Sequence, residues 1–294
     1  MNVYLFPNLS KTNCMEYTEV ACKILNSSGI GIFASEIYKE SLKDIKNIKF
    51  ATEENCIQNC DIIIAVGGDG TILKCSVKAA RFHKSILGIN CGRLGFMASL
   101  EHSQLERLRK LSAEDYTLSK RMMLEVSVGK PGKETVKLSA LNDVVVARSD
   151  DCKIADFEVS KNGQKISSLR ADGVIFSTAT GATAYSMSAG GPIIEPEMEC
   201  IEFTQICPHS LFARSMILSA QSRIDVKCHT YEGCHIRLSV DGNSVYTLSD
   251  GDVVTVTKSE EYVNIIDING GSFFSSVNSK LMQPLKDDPE DSKK

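Results

Sequence analysis

The 294-residue sequence lacks several features that would assign it to a large functional class. It has eleven cysteines but no CxxC pair, and their irregular spacing argues against a zinc site and favours a reduced, cytoplasmic protein. No run of about 18 apolar residues is present, and the first residues form no basic or long apolar region, so we expect neither a membrane span nor export. The net charge of -4 gives no basic field for binding nucleic acid.

The first hundred residues alternate short apolar runs with stretches of helical periodicity. The predicted strands are residues 3–6, 30–33, 61–66 and 86–89, and the predicted helices are residues 12–25 and 71–82. This order predicts an α/β domain with a parallel sheet. The run from Ile62 to Val66 is apolar at every position, as in a central strand that helices cover on both faces.

After about residue 115 the pattern changes to period-two alternation, and three hairpin signals follow. These signals are Asn162-Gly163, Asp241-Gly242 and Asp250-Gly251. We therefore predict an α/β domain over residues 1–100, a β-rich, sandwich-like domain over 101–275, and a C-terminal segment over 276–294. Within that segment, residues 278–285 are expected to return to the first domain, and residues 286–294 to form a disordered tail.

A glycine-aspartate loop directly follows the apolar strand and opens into a predicted helix. It consists of Gly67, Gly68, Asp69, Gly70 and Thr71. Ligands bind at this edge of open α/β sheets, and a helix N-terminus offers N–H groups to a phosphate, which glycines allow to come close. A carboxylate beside phosphate is repulsive unless it accepts a proton or holds a metal, so Asp69 is either functional or merely a helix N-cap.

Two common phosphate-binding motifs do not fit this loop. A Walker A loop requires Gly-Lys-Ser/Thr, whereas this chain continues from Thr71 through Ile72 and Leu73 to Lys74. A dinucleotide fingerprint requires GxGxxG, which the loop does not supply. Both alternatives therefore fail on spacing.

Three further stretches decide between the remaining possibilities. They are residues 88–96 (GINCGRLGF), 141–146 (LNDVVV) and 172–186 (DGVIFSTATGATAYS). In this order, and with the GGDGT loop, they resemble the NAD kinase family over roughly residues 60–245. The resemblance implies an enzyme that transfers the γ-phosphate of ATP to the 2′-hydroxyl of NAD. Inorganic polyphosphate is the alternative phosphoryl donor. It also implies an active site between two domains, a divalent metal such as Mg²⁺ with the ATP, and a homodimer or homotetramer.

The resemblance also assigns roles to individual residues. Asp69 matches the family's catalytic aspartate, and the loop that carries the donor phosphates is matched by Gly67, Gly68, Gly70 and Thr71. The implied NAD-binding residues are Asp69, Gly70, Leu73, Phe96, Asn142, Asp143, Arg170, Asp172, Thr180, Thr183, Ala184, Tyr185 and Ser188. Arg170 and Asp172 match positions that can reach a neighbouring subunit's dinucleotide. The chain departs from the family pattern at Ala171, Ala179 and Ala182, where glycine, proline and serine are usual.

The residue types are suited to these roles. Asn142 can both donate to and accept from a purine edge, and Asp143 can accept from ribose hydroxyls or an exocyclic amine. The alternative is that residues 141–143 are only a turn before a strand. Tyr185 offers a flat face for stacking, unless it is a core residue in an ordinary strand-to-helix loop.

Charge on the donor phosphates must be neutralised without a Walker lysine, so a divalent metal on the ATP is expected. Candidate helpers or solvated surface charges are Lys74, Arg93, Arg148 and Arg170. The histidines show no spacing typical of a protein metal site.

Two other functions remain open at this stage: a diacylglycerol-type lipid kinase, which shares a GGDGT-like loop, and a non-catalytic NAD(H)-binding regulator. The first lacks the 142–143 and 183–185 elements, and the second would gain nothing from Asp69.

Overall fold

The protein is described by a computed structural model over residues 1–92, 95–130, 133–149, 154–210, 213–229, 234–249, 251–270 and 273–281. The chain forms two compact units. The first unit comprises Met1–Cys75, Lys84–Leu118 and the chain from Ile265 onward. The second unit comprises Ser76–His83 and Ser119–Asn264.

The first unit is the predicted α/β domain with a parallel sheet. Its strands are β1 (Asn2–Pro7), β2 (Gly31–Ser35), β3 (Ile48–Ala51), β4 (Ile62–Gly67) and β5 (Ser85–Asn90). Its helices are α1 (Cys14–Ser27), α2 (Glu53–Asn59) and the first half of α3 (Asp69–Arg81), with 3₁₀ helices at Glu36–Tyr38 and His102–Ala113. The strand order is β5-β4-β1-β2-β3, and every pairing in this order is parallel.

Strand β4 is central in this sheet, as its composition predicts. All six of its residues are buried, because apolar side chains cover both of its faces. Ile62, Ile64 and Val66 lie in the main hydrophobic core of the unit together with residues of α1 and the His102–Ala113 helix. The loop after β4 therefore starts from a rigid, buried strand.

The second unit is built from two antiparallel sheets. Its strands are β6 (Thr117–Lys130), β7 (Lys133–Ala140), β8 (Asp143–Arg148), β9 (Ala155–Lys161), β10 (Gln164–Ala171), β11 (Gly173–Ser177), β12 (Cys200–Ile206), β13 (Met216–Ser219), β14 (Ile224–His229), β15 (Ile236–Val240), β16 (Asn243–Leu248) and β17 (Val253–Asp267). One sheet has the order β13-β12-β11-β8-β15-β16. In the other, β10, β9, β14 and β17 are successive neighbours, β6 pairs with β17, and β7 pairs with β6. A 3₁₀ turn at Gly181–Thr183 and helix α4 (Tyr185–Ser188) follow β11.

The two sheets share one hydrophobic core, so the predicted sandwich-like architecture is confirmed. Phe157 of β9 belongs to the same buried cluster as Phe176 of β11 and Phe203 of β12. The rings of Phe176 and Phe203 are stacked with centroids 5.2 Å apart. Alternating residues of each strand supply this core, as period-two patterning requires.

Two of the predicted hairpin turns are confirmed. Asn162 and Gly163 have φ angles of 50° and 82° between β9 and β10, and Asp241 and Gly242 have φ angles of 47° and 77° between β15 and β16. Asp250 lies outside the described residues. Helix α5 (Phe273–Leu281) is grouped with the first unit, whereas residues 282–294 lie outside the described part of the chain.

Among the described residues, nine cysteines are free thiols. Seven of these are buried, including Cys14, Cys22 and Cys91, as predicted for small apolar side chains. Cys234, in contrast, is disulfide-bonded, so the prediction of a reduced protein is wrong for this residue. Over the described ranges, no helix has the length and apolar character needed to cross a membrane.

Candidate active site

The glycine-aspartate loop lies between β4 and α3, as the sequence predicts. Its backbone is tightly closed, because Thr71 N donates to Gly68 O at 2.8 Å and Cys91 N donates to Gly67 O at 2.6 Å. Thr71 is buried and Gly70 is exposed. Helix α3 begins in this loop, so the first backbone N–H groups of the helix, which have no partners inside it, lie here.

The Asp69 side chain is held by the backbone of a distant segment. Its Oδ2 accepts a hydrogen bond from Phe96 N at 2.6 Å, and its Oδ1 accepts from Met97 N at 3.1 Å and Ala98 N at 3.3 Å. The three hydrogen bonds described for this carboxylate come from residues 96–98 and not from the first turn of α3. Three N–H donors suit an ionised carboxylate, which only accepts hydrogen bonds.

Gly95 makes this arrangement possible. A Cβ at Gly95 would overlap the carboxylate of Asp69, so any larger residue would displace either the carboxylate or the segment that binds it. Phe96, a predicted NAD-binding residue, is half-buried and takes part through its backbone N–H. Arg93, a predicted helper, lies outside the described residues.

Lys11 brings a positive charge to the same loop, although the sequence patterns did not select it. Lys11 Nζ lies 2.8 Å from the position that a Cβ of Gly68 would occupy. The backbone leads it there, since Asn8 N donates to Val66 O at 2.8 Å at the end of β4, and Lys11 N donates to Asn8 O at 3.1 Å. The Lys11 side chain is exposed and therefore accessible to a ligand.

In the second unit, the turn of residues 141–143 is held by one carboxylate. Leu141 N donates to Asp241 Oδ2 at 2.9 Å, while Asn142 N and Asp143 N donate to Asp241 Oδ1 at 2.8 and 3.1 Å. The sequence pattern places Asp241 only in a hairpin turn. Because about 100 positions separate it from the turn it binds, local pattern gave no signal of this contact.

Asn142 carries an unsatisfied acceptor. The residue is only 7% exposed, and within the described residues its side-chain Oδ1 has no hydrogen-bond partner. Leaving a buried polar atom unpaired costs about 1–3 kcal/mol. This acceptor is therefore suited to a donor group that a ligand brings, such as an amine or a hydroxyl.

Two carboxyl groups near this turn have perturbed acidity. Burial, with a smaller contribution from the negative charge of Asp241, raises the pKa of Asp143 to about 7. Burial also raises the pKa of Asp241, although the three backbone N–H groups that donate to it act in the opposite direction. Asp143 can therefore change its charge near neutral pH.

The loop after β11 is anchored to the same turn. Thr178 Oγ1 donates to Leu141 O at 2.6 Å and accepts from Gly181 N at 3.1 Å, and Thr178 N donates to Asn142 O at 2.9 Å. A Cβ at Gly181 would overlap the Asn142 carbonyl, so close packing here requires glycine. The loop and the Asn142 turn are thus one packed assembly.

The predicted binding residues of this loop differ in exposure. Thr180 is buried, and its Oγ1 lies 3.5 Å from Arg121 Nη1, whereas Thr183 and Ala184 are half-buried. Tyr185 is 46% exposed, so the interpretation of Tyr185 as a core residue is wrong. Ser188, at the end of α4, is exposed. Of these residues, Tyr185 and Ser188 are therefore the ones presented at the surface of the unit.

A buried carboxylate that the sequence analysis did not select also supports this loop. Glu202 of β12 is fully buried, and its oxygens accept hydrogen bonds from Ser177 Oγ at 2.9 Å and Thr204 Oγ1 at 3.0 Å. Ser186 of α4 in turn donates to Thr204 Oγ1 at 3.0 Å. Hydroxyl groups thereby satisfy an acidic side chain and tie both ends of the loop to β12.

The remaining predicted residues are engaged elsewhere or partly exposed. Arg170 forms a two-bond pair with Asp156 at 2.8 and 3.0 Å, and Arg148 Nε donates to Asp172 Oδ1 at 2.7 Å. Leu73 is half-buried and Lys74 is exposed on α3. In the part of the chain that the structure describes, no group of three or more His, Cys, Asp or Glu side chains could hold a metal ion.

Comparison with known proteins identifies the class of enzyme. The ATP-NAD kinase N-terminal domain matches residues 3–116, and the ATP-NAD kinase C-terminal domain matches residues 141–268. An NAD kinase from Caldanaerobacter subterraneus subsp. tengcongensis is 36% identical over 282 residues, covering 96% of this chain and 99% of the relative. One from Natranaerobius thermophilus is 35% identical over 283 residues, covering 95% and 97%. The chain is a phosphotransferase.

Solved structures show the same fold. Yeast NADH kinase complexed with NADH superposes with a TM-score of 0.86 at 23% identity, covering 98% of this chain and 89% of that one. An NAD kinase from Archaeoglobus fulgidus in complex with ATP gives a TM-score of 0.68 at 23% identity, covering 96% and 99%. The two domain matches together span more than half of the chain, which therefore belongs to the NAD kinase family. None of the comparisons supports a lipid kinase or a non-catalytic regulator.

Proposed function

We propose that this protein transfers the γ-phosphoryl group of ATP to the 2′-hydroxyl of the adenosine ribose of NAD, producing NADP and ADP. The observation that carries this proposal is the Asp69 carboxylate, which three backbone N–H groups fix at the N-terminal end of α3. A carboxylate aligned in a phosphate-binding loop can accept the proton of an attacking hydroxyl.

The proton transfer uses the less occupied carboxylate oxygen. Asp69 Oδ1 already accepts two N–H groups, whereas Oδ2 accepts one, so Oδ2 keeps a lone pair for the hydroxyl proton. The ribose oxygen bonds to the γ-phosphorus, the bond from that phosphorus to the β–γ bridging oxygen breaks, and ADP leaves with the electron pair. Alignment and charge neutralisation supply most of the rate.

The donor side of the reaction falls to the glycine-rich loop and Lys11. Gly67, Gly68, Gly70 and Thr71 provide a backbone that phosphate oxygens can approach, and Lys11 supplies the ammonium group that the loop itself lacks. Mg²⁺ held with the ATP would neutralise further charge on the phosphates. Inorganic polyphosphate presents the same chemistry and is the alternative donor.

The acceptor side falls to the second unit. We infer that Asn142 Oδ1 accepts a hydrogen bond from the NAD nucleoside, which would satisfy its unpaired acceptor. Asp143 contacts a neighbouring ribose hydroxyl or amine, and the exposed Tyr185 ring stacks on a base. Further contacts are proposed for Leu73, Phe96, Thr180, Thr183, Ala184 and Ser188.

We also propose a cytoplasmic homodimer or homotetramer in which Arg170 and Asp172 approach a neighbouring subunit's dinucleotide. Each of these residues is already paired within its own chain, with Asp156 and Arg148, and these pairs would fix their directions. Light scattering, together with activity measured on dilution, tests the assembly. A fully active monomer at nanomolar concentration would contradict it.

One coupled assay tests the reaction. The purified protein is incubated with NAD, Mg²⁺ and either ATP or polyphosphate, and NADP is detected with a dehydrogenase specific for it. Asp69→Ala is the negative control, and Asp44→Ala, at an exposed aspartate of the same unit, is the matched variant expected to retain activity. No NADP with either donor would refute the proposal.

A further inference from the structure

The N–H groups of the Asn142 turn need an acceptor that the sheet does not provide. Strand β8 begins at Asp143, so the N–H groups of Leu141 and Asn142 lie beyond the end of its ladder. Buried N–H groups without partners are costly. Strand β15 pairs with β8 as far as Val240, and Asp241 N then donates to Asp143 O at 3.0 Å. The tip of the β15–β16 hairpin therefore extends past the start of β8 and brings the Asp241 carboxylate to the turn of residues 141–143.

The choice of aspartate at this hairpin is not explained by the hairpin alone. A two-residue turn with positive φ angles accepts asparagine before glycine as readily as aspartate. An asparagine offers only one acceptor oxygen, whereas an ionised aspartate offers two. Both oxygens of Asp241 are used, since Oδ2 accepts from Leu141 N while Oδ1 accepts from Asn142 N and Asp143 N.

We propose that Asp241 is a positioning residue for NAD binding, which acts through Asn142 and Asp143 by fixing the backbone that carries them. Asn142 has little freedom to find another arrangement, because its carbonyl is also bound by Thr178 N at 2.9 Å. Its unpaired Oδ1 is therefore aimed by two hydrogen bonds to its own backbone. This proposal rests on the proposed function, in which this turn holds the acceptor.

A graded series of variants tests the proposal. Asp241→Asn keeps one oxygen for the N–H groups of Asn142 and Asp143 but turns an amide donor toward Leu141 N, whereas Asp241→Ala removes all three bonds. We expect the KM for NAD to rise about 3-fold in the first variant and about 10-fold in the second, with the KM for ATP unchanged. Turnover at saturating NAD should fall by less than the KM rises, and NAD binding measured by calorimetry without ATP should weaken in parallel.

Asp252 provides a matched control in the same unit. It is a buried aspartate whose Oδ2 accepts from Ser249 N at 2.7 Å, so Asp252→Ala also removes a carboxylate that binds the backbone. Its melting temperature should fall while its NAD affinity stays at the parent value. Equal NAD affinity in the Asp241 variants and the parent, or equal rises in both KM values, would overturn the proposal. A parent protein that binds no NAD would overturn the proposed function as well.

Discussion

The two units each contain one carboxylate that accepts three backbone hydrogen bonds, and the two carboxylates have opposite roles. In the first unit, Asp69 is the proposed reactive group, and the N–H groups of Phe96, Met97 and Ala98 hold it in place. In the second unit, Asp241 is the holding group, and the residues whose N–H groups it binds carry the proposed ligand contacts.

This reversal shows how a carboxylate can be fixed for chemistry or can fix other groups for binding. For Asp69, the supporting segment must come very close, and Gly95 is the residue that allows it. For Asp241, the supported segment lies at the end of a strand, where unpaired N–H groups are available. Variants that remove the Asp69 carboxylate should therefore affect turnover, and variants at or around Asp241 should affect NAD binding.

Asp69→Asn should have the largest effect. Loss of the basic oxygen should reduce turnover at saturating NAD and ATP by about 10² to 10⁴. NAD affinity should barely change. Since the amide has one oxygen for three N–H donors, its NH₂ group must face at least one of them, and the melting temperature should fall as well. Steady-state kinetics and calorimetric NAD binding measure the two effects separately.

A magnesium series separates the proposed base from a metal ligand. If Asp69 only held Mg²⁺, the loss of turnover in Asp69→Asn should shrink as Mg²⁺ is raised, whereas a missing base cannot be restored in this way. Near-parental turnover in this variant would make Asp69 a structural residue that only anchors the 96–98 segment.

Lys11→Met should have the next largest effect, on the donor side alone. Removing an ammonium group that binds phosphate oxygens should raise the KM for ATP about 10-fold, with little change in the KM for NAD. Lys23→Met, at an exposed lysine of α1, is the matched control and should leave both constants unchanged. If the two variants behaved alike, Lys11 would be an ordinary surface charge.

Asn142→Ala should raise the KM for NAD and not the KM for ATP, and by a smaller factor than Lys11→Met raises the KM for ATP. The lost hydrogen bond is made by a neutral group, so we expect the KM for NAD to rise about 5-fold while the KM for ATP stays at the parent value. Initial rates with each substrate varied in turn provide the measurement. A larger rise in the KM for ATP than in the KM for NAD would show that the turn of residues 141–143 binds the phosphate donor, and would contradict the division of roles between the two units.

Much of the fold follows from the sequence because its longest elements have strong periodicity. The buried strand β4, helix α1 and helix α3 were predicted from apolar runs and helical spacing, and the β-rich second unit from alternation. Strand β3 and helix α2 were missed because they are only four and seven residues long. Helix α2 does carry a local signal, since the Thr52 side chain accepts from Asn55 N at its start.

The site was less predictable for a physical reason. Motifs indicate residues that would face a ligand, such as Asp69 and Asn142, because their chemistry is visible in the side chain itself. Residues that hold those groups contribute through contacts between segments far apart in the chain. Glu202 and Asp241 are of this kind. Lys11 would face the ligand itself, but it too reaches the loop only through the packing of segments far apart in the chain.

The last expected effect concerns stability and not catalysis, and it is a pH dependence that originates at Asp143. Burial raises the pKa of this carboxyl to about 7 in the folded protein, above its value of about 4 in the unfolded chain. Between these values the folded state keeps a proton that the unfolded state has lost. The stability from this group is therefore fully present below about pH 4 and is lost as the pH rises through about 7, at up to ~1.4 kcal/mol per pH unit. Asp143→Asn removes this contribution.

Urea denaturation at several pH values between 5 and 8 measures the effect. The free energy of unfolding of the parent, relative to that of Asp143→Asn, should fall from pH 5 to 7 and level off above pH 7. Asp44→Asn, at an exposed position, reports the pH trend of the rest of the protein. Asp241 lies close enough to contribute to the raised pKa, so Asp241→Asn should shift the pH of the transition downward. A relative stability that did not change with pH would show that Asp143 is ionised in both the folded and the unfolded state across this range.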